Sequence, residues 1–225
     1  MIIGPRVIFN LKSRQIGQTV REEGVKEHLK KTGVPTMGGI IILIPLMITS
    51  LLWTKINAFV VVSLLVTAGM GLIGFFDDIT KVVRARSLGL TPRQKLAGQI
   101  ITGLAAALAI NYYPGLRFEL ANATSNSIEM SPTATQVPIF GALDLGWLYI
   151  PFAVAVIVGA SNAVNLTDGL DGLAAGSMIV ATTPFLVFAY VCGHLIFARH
   201  LGVAYIPGVG ELAIICAALI GGSFG

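Results

Sequence analysis

Long apolar segments alternate with short polar segments along this chain of 225 residues. A helix needs about 20 apolar residues to cross the hydrocarbon core of a bilayer, so each long segment predicts a transmembrane helix. The segments that meet or approach this length cover residues 38–54, 57–76, 96–113, 147–165 and 172–192. The pattern therefore predicts an all-α, polytopic bundle of transmembrane helices with five complete spans.

Both ends of the sequence resemble parts of further spans. A sixth apolar segment begins near Glu211 and is still apolar at Gly225, where only about 15 residues have been reached. The first residues, MIIGPRVIF, read as the end of an earlier span or as an interfacial anchor, and we favour the first interpretation. We therefore expect a chain that is truncated at both ends, with one integral membrane domain over residues 1–225.

Composition supports a membrane protein, because 55% of the residues are hydrophobic and only 12% are charged. Soluble domains carry roughly 25% charged residues. Twelve of the fifteen lysines and arginines lie before the first span or between the second and the third. Basic residues of short loops remain in the cytoplasm. This distribution predicts that residues 1–37, 77–95 and 166–171 are cytoplasmic and that 114–146 and 193–210 are outside. The outer loop, 114–146, is rich in Ser, Thr, Asn and Pro and is compatible with a short hairpin or a mobile segment.

Four carboxylates stand out at the predicted cytoplasmic ends of two spans. Asp77 and Asp78 end the second span in GFFDDITK, and Asp168 and Asp171 follow the fourth in NAVNLTDGLDGLA. A carboxylate at the centre of a transmembrane helix costs roughly 2.5–3.5 kcal/mol, so such groups usually have a function. Capping of helix ends is the simpler alternative for any one aspartate. The adjacent Asp77 and Asp78 are expected to point in different directions.

Several carboxylates brought together favour a hard divalent cation, and Mg²⁺ binds one or two carboxylates together with water and phosphate oxygens. Basic residues share the same predicted water layer: Lys30, Lys31, Lys81, Arg93 and Lys95. Each lysine alone fits a positive-inside anchor. Together with a metal, they indicate a site for a diphosphate and for phosphoryl transfer.

The segments KKTGVPTMGG, GFFDDITK and NAVNLTDGLDGLA, in this order, resemble the phospho-N-acetylmuramoyl-pentapeptide transferases, or translocase I. These belong to the polyprenyl-phosphate N-acetylhexosamine 1-phosphate transferase superfamily. QIGQTVREEG and IPGVGEL extend the likeness over nearly the whole chain, and the PTMGG form favours the muramoyl-pentapeptide branch.

The resemblance implies a bacterial inner-membrane enzyme, usually a homodimer of ten-span subunits, with its active site facing the cytoplasm. Such an enzyme uses Mg²⁺ to transfer phospho-MurNAc-pentapeptide from UDP-MurNAc-pentapeptide to undecaprenyl phosphate, giving lipid I and UMP. The implied partners are these two substrates, membrane lipid and a second subunit, with no nucleic acid.

The resemblance also implies roles for individual residues. The implied catalytic residues are Asp77, Asp78 and Asp168, of which Asp77 deprotonates or orients the lipid phosphate. The implied metal ligands are Asp77, Asp168 and Asp171. The implied substrate-binding residues are Lys31, Thr36, Lys81, Lys95, Asn165, Gly169, Leu170 and Asp171, with Gly169 and Leu170 against the uracil. Arg93 is a further candidate.

Two other functions remain compatible with the residues. A sister transferase that uses UDP-GlcNAc needs the same metal and diphosphate chemistry. A non-enzymatic membrane protein or transporter would use its polar groups as an ion path, although the carboxylates gather at one surface and do not cross the bilayer. The family pattern continues with an MGD-type aspartate and a histidine-rich loop that this sequence does not contain, so we expect these 225 residues alone to lack turnover.

Overall fold

The structure is a computed structural model that describes residues 38–84, 89–113, 118–121, 127–131, 133–137, 141–168 and 172–224. Seven α-helices and four short strands lie within these ranges. The helices are α1 (Gly39–Trp53), α2 (Ala58–Val83), α3 (Pro92–Tyr112), α4 (Tyr149–Thr167), α5 (Leu173–Cys192), α6 (Leu195–Leu201) and α7 (Glu211–Phe224). The strands are β1 (Phe118–Ala121), β2 (Ser127–Met130), β3 (Ala134–Val137) and β4 (Gly141–Asp144).

Three of the described helices are long and apolar enough to cross a membrane: α2, α4 with the 3₁₀ turn that precedes it, and α5. Helices α1 and α7 are apolar but shorter, with 15 and 14 residues. Helix α3 has 21 residues, but Gln99 and Asn111 interrupt its apolar sequence. The prediction of an all-α, polytopic membrane protein is confirmed, and within the described residues the individual helices differ in length from the predicted spans.

Helix α2 extends seven residues beyond its predicted span end at residue 76. Its 26 residues give a length of about 39 Å at about 1.5 Å per residue, which exceeds the apolar core of about 30 Å. At the other end, the Asn57 side chain caps the helix by accepting a hydrogen bond from Val60 N (3.0 Å). Asp77 and Asp78 therefore lie on the last turns of a continuous helix and not in the loop after it.

Helix α3 begins earlier than the apolar pattern predicted, because a capping box starts it. The Thr91 hydroxyl accepts from Gln94 N (3.4 Å), and the Gln94 side chain accepts from Thr91 N (3.1 Å). Pro92, at the first helical position, has no N–H that would need a partner there. As a result, Arg93 and Lys95 lie on the first turns of α3.

The helices pack so that α3 contacts both α2 and α4, while α7 contacts both α1 and α5. Contacts of α4 with α5 and of α2 with α7 join the two groups. The turn between α1 and α2 is tied to the start of α7, where Glu211 accepts from Lys55 N (2.9 Å) and Gly208 O accepts from the Asn57 side chain (2.9 Å).

The predicted outer loop contains two antiparallel hairpins. Strand β1 pairs with β2, and β3 pairs with β4 with Ala134 opposite Asp144. The Asp144 carboxylate, at the end of β4, accepts hydrogen bonds from the Thr133 hydroxyl and from Gly146 N. These bonds lower the pKa of Asp144, because they stabilise its charged form. Of the two possibilities for this loop, the described residues show hairpins.

We predict that Gly193→Ala destabilises the protein. Gly193 ends α5 against the start of α7, and a Cβ there would lie 2.5 Å from Gly210 Cα and 3.0 Å from Ala189 O. Both neighbours are backbone atoms, so relief requires a helix to shift, at about 1–3 kcal/mol. Thermal unfolding in detergent should show a lower Tm. Gly221→Ala is the matched control, because nothing lies within 4 Å of its Cβ position, and equal Tm values for the two variants would contradict the prediction.

Candidate active site

The carboxylates at the end of α2 converge on one ammonium group. Lys81 Nζ lies 2.7 Å from Asp77 Oδ2 and 3.0 Å from Asp78 Oδ1. Adjacent residues leave a helix in different directions, yet the long side chain of Lys81 reaches both carboxylates. Lys81 follows them by four and three residues, and positions with these spacings are neighbours on a helix surface. The long lysine side chain bridges both carboxylates and neutralises part of their charge.

Asp77 has a second partner on the following helical connection. Its Oδ1 accepts a hydrogen bond from Leu90 N (2.8 Å), just before α3 begins. The side chain of Asp77 is 15% exposed, compared with 29% for Asp78. Gly89 passes so close to Asp77 that a Cβ on Gly89 would overlap its carboxylate and lie 2.7 Å from its backbone oxygen. The chain before α3 therefore holds this carboxylate in place, and glycine is required for the close approach.

A second polar contact joins α3 to α4 at the same end of the bundle. Lys95 Nζ donates to Asn165 Oδ1 over 2.8 Å. Because successive helices run in opposite directions, the end of α2, the start of α3 and the end of α4 lie together. The structure thus brings Asp77, Asp78 and Lys81 to the same end as Lys95 and Asn165, as the sequence predicted. Asp168 is the C-cap residue of α4, three residues after Asn165, and is exposed.

A buried carboxamide lies one turn further into the helix pair, and the sequence interpretation did not identify it. Gln99 is 2% exposed, and its Nε2 lies 3.1 Å from Ser161 Oγ and 3.4 Å from Asn162 Oδ1. Asn162 Nδ2 donates in return to Gln99 Oε1 (3.0 Å) and also to Val158 O (2.9 Å). A signal was present in the sequence, because a glutamine inside an apolar span usually has a partner on another helix.

Several predicted site residues lie outside the described ranges: Lys31, Thr36, Gly169, Leu170 and Asp171. Their roles stay predictions. Within the part of the chain that the structure describes, no three acidic, histidine or cysteine side chains form a metal-binding group. The proposed ligand set includes Asp171, so the magnesium prediction also stays untested. Arg93 is exposed on the first turn of α3.

Comparison with known proteins shows the family to which the chain is similar. Residues 59–225 match the model of the family described as glycosyl transferase family 4. A phospho-N-acetylmuramoyl-pentapeptide-transferase of Desulfotalea psychrophila is 43% identical over 226 residues, covering 100% of this chain and 59% of the relative. Proteins of the same name from Citrifermentans bemidjiense and Koribacter versatilis are 41% and 43% identical over the whole chain, covering 59% and 61% of those relatives. The chain thus spans about three fifths of the length of these relatives.

Proposed function

The chain belongs to glycosyl transferase family 4, and we propose that the protein transfers phospho-N-acetylmuramoyl-pentapeptide from UDP-MurNAc-pentapeptide to undecaprenyl phosphate. The products are lipid I and UMP. The observation that carries the proposal is the meeting of Asp77, Asp78 and Lys81 with the Lys95–Asn165 pair at one end of the bundle. The names of the relatives support the choice of substrates.

The charges at this end suit a reaction between two phosphates. Lys81 is largely committed to the two aspartates, whereas Lys95 is held by the neutral carboxamide of Asn165. A carboxamide orients an ammonium without neutralising it, so the contact with Asn165 leaves Lys95 suited to bind a phosphate oxygen. In phosphoryl transfer the protein mainly positions the reactants and stabilises their charge. Lys95 would hold the diphosphate, and Asp77 would orient the attacking lipid phosphate.

The residues present fit a magnesium ion. Asp77 and Asp78 already converge on one cation, Lys81 Nζ, and carboxylate oxygens are the hard ligands that Mg²⁺ prefers. Of the three predicted ligands, Asp77, Asp168 and Asp171, one or two would bind the ion directly, and water and substrate phosphate would fill its remaining positions. When bound, Mg²⁺ would neutralise charge that develops on the diphosphate. Lys81 would then shift toward Asp78 or toward a substrate phosphate.

The proposal places the protein in a bacterial inner membrane, with this end of the bundle facing the cytoplasm and with two subunits forming a dimer. The positive-inside distribution of lysine and arginine supports the orientation. Both substrates meet there, because the nucleotide is soluble and the lipid phosphate lies at the membrane surface.

The test is an assay of the protein expressed from its complete coding sequence in phospholipid nanodiscs. Fluorescent UDP-MurNAc-pentapeptide or UDP-GlcNAc is mixed with undecaprenyl phosphate and Mg²⁺, and the lipid product is separated by chromatography. We expect a lipid-linked muramoyl-pentapeptide and UMP. Product from UDP-GlcNAc alone would assign the protein to the sister reaction, and no product from either nucleotide would overturn the proposal.

We predict that removal of divalent cations abolishes this activity. EDTA in excess should reduce product formation to background, and Mg²⁺ added back should restore it, because the two phosphates and the site aspartates repel one another without a cation. Readdition of Ca²⁺ is the control for the effect of charge alone, because Ca²⁺ has the same charge as Mg²⁺ but prefers more ligands at longer distances. Turnover that persists in EDTA would contradict the proposed magnesium site.

A further inference from the structure

Two polar contacts join α3 to α4. Lys95 hydrogen-bonds Asn165 in the first contact, and Gln99 hydrogen-bonds Asn162 and Ser161 in the second. The spacing is four residues on α3 and three on α4, so each step is one turn in antiparallel helices. The contact of Gln99 with Asn162 therefore lies one helical turn from the contact that orients Lys95.

Apolar packing alone defines the position of α4 weakly. Within the described part of α4 no residue is buried, and a Cβ added at Gly103 of α3 would lie only at ordinary contact distance, 3.6 Å from Val154 Cα and 3.7 Å from Ile157 Cβ. Lipid tails are as apolar as these side chains, so a small slide or rotation of one helix along the other changes the apolar contacts little. Hydrogen bonds are directional, and a misaligned polar group is left without a partner.

The hydrogen bonds between Gln99 and Asn162 can fix the alignment of α4 along α3. Gln99 is nearly fully buried, and its carboxamide both donates to Asn162 and accepts from it. A reciprocal pair of this kind has one good arrangement, and a single buried polar residue is known to set the register of paired helices. Any shift of α4 would break the pair and would move Asn165 away from Lys95.

We propose that Gln99 is a positioning residue: its carboxamide pair with Asn162 sets the register of α4 on α3 and thereby brings Asn165 onto Lys95. This inference deepens the proposed function and rests on it for its catalytic consequence. Gln99 itself touches no reacting atom in this assignment. It acts through the position of Asn165, and of Asp168 one turn later.

The first test measures the Lys95 contact without any assay of activity. The protein in nanodiscs is labelled briefly with an amine-reactive reagent, and modification of each lysine is quantified by mass spectrometry. Gln99→Leu should raise the labelling rate of Lys95 several-fold, because its amine loses a hydrogen-bond partner. Lys81 is the internal control, since its two partners lie on its own helix. Its labelling should not change.

Four further variants separate positioning from general stability. Thr102→Val removes a hydroxyl of α3 whose hydrogen-bond partner among the described residues is Gly98 O of the same helix, and Gly193→Ala is predicted to destabilise the far end of the bundle. Neither should change Lys95 labelling. The exchange Gln99→Asn with Asn162→Gln keeps the summed length of the pair and should restore the unaltered labelling rate, whereas Gln99→Asn alone should not.

Turnover is then measured in the same preparations. Gln99→Leu should lower kcat by up to about 100-fold, since a displacement of about 1 Å at a reaction centre costs this much, and the exchange should recover most of the loss. Unchanged Lys95 labelling in folded Gln99→Leu, or in Gln99→Asn if the leucine variant does not fold, would overturn the inference. If the unaltered protein forms no product, the proposed function fails, but the labelling result still decides the role of Gln99.

Discussion

Asp77→Asn should lower the turnover number of the protein by about 10²–10³-fold, which is the usual effect of removing one electrostatic contact to a reacting group. The variant is nearly isosteric, and its amide oxygen can still accept from Leu90 N. What it loses is the negative charge toward Lys81 and toward the proposed magnesium ion. Steady-state turnover over a range of Mg²⁺ concentrations measures the effect.

The charge of Asp77 matters for metal and phosphate geometry in this hypothesis, and proton abstraction is not required. A phosphate monoester has a second pKa near 6, so the lipid phosphate is mostly a dianion at neutral pH and needs no strong base. The variant should therefore also need a higher Mg²⁺ concentration for half-maximal turnover. Loss of turnover with an unchanged Mg²⁺ requirement would contradict this role, and near-normal turnover would exclude proton transfer by Asp77.

Asp144→Asn is the matched control for Asp77→Asn. Asp144 also accepts one backbone N–H and one side-chain hydrogen bond, but it lies at the end of β4 in the predicted outer loop. The same change of charge there should leave turnover and the Mg²⁺ requirement unchanged. A similar loss in both variants would point to a general effect of lost negative charge.

Gly89→Ala should lower turnover by about 10²-fold, since it displaces Asp77 and a displacement of about 1 Å at a reaction centre costs this much. The added Cβ would overlap the Asp77 carboxylate and would lie 2.7 Å from the Asp77 backbone oxygen. Rotation of the Asp77 side chain relieves only the first contact. The chain before α3 must therefore move away from α2, and the bond from Leu90 N to Asp77 is lost.

Gly74→Ala is the matched control on α2, because nothing lies within 4 Å of its Cβ position. Alanine favours a helix over glycine by about 1 kcal/mol, so this variant should be as stable as the unaltered protein or more stable. Turnover and Tm of the two variants are compared in the same nanodiscs. Equal turnover in Gly89→Ala and in the unaltered protein would show that Asp77 does not depend on the close approach of Gly89.

The sequence predicted the helical architecture well because hydrophobicity acts locally. Each apolar run had to form a helix, since a lipid-exposed backbone must satisfy its own hydrogen bonds. Helices α2, α4 and α5 confirm this within the described residues. Helix boundaries were less accurate, since α2 continues through Lys81 to Val83 and α3 begins at Pro92. Polar side chains are tolerated in the last turns of a helix, so a hydropathy pattern ends before the helix does.

The sequence also predicted that candidate site residues would gather at one end of the bundle, and Asp77, Asp78, Lys81, Lys95 and Asn165 do so. Alternation of spans places the end of α2, the start of α3 and the end of α4 together, whatever the details of packing. It did not predict the partners within that site. The predicted role of Lys81 in a phosphate pocket stays a prediction, and the structure adds that its ammonium bridges Asp77 and Asp78.

The patterns of apolar and charged residues along this chain were sufficient to predict an all-α membrane bundle with Asp77, Asp78, Lys81 and Lys95 at one end. Only the tertiary structure decided that Lys95 meets Asn165, 70 positions later, and that Gln99 meets Asn162, 63 positions later. It also decided that Gly89 must pass against Asp77. The physical reason is the range of the forces involved. Transfer of a segment into lipid depends on its own composition, whereas a hydrogen bond needs two atoms within about 3 Å and therefore depends on how distant helices pack.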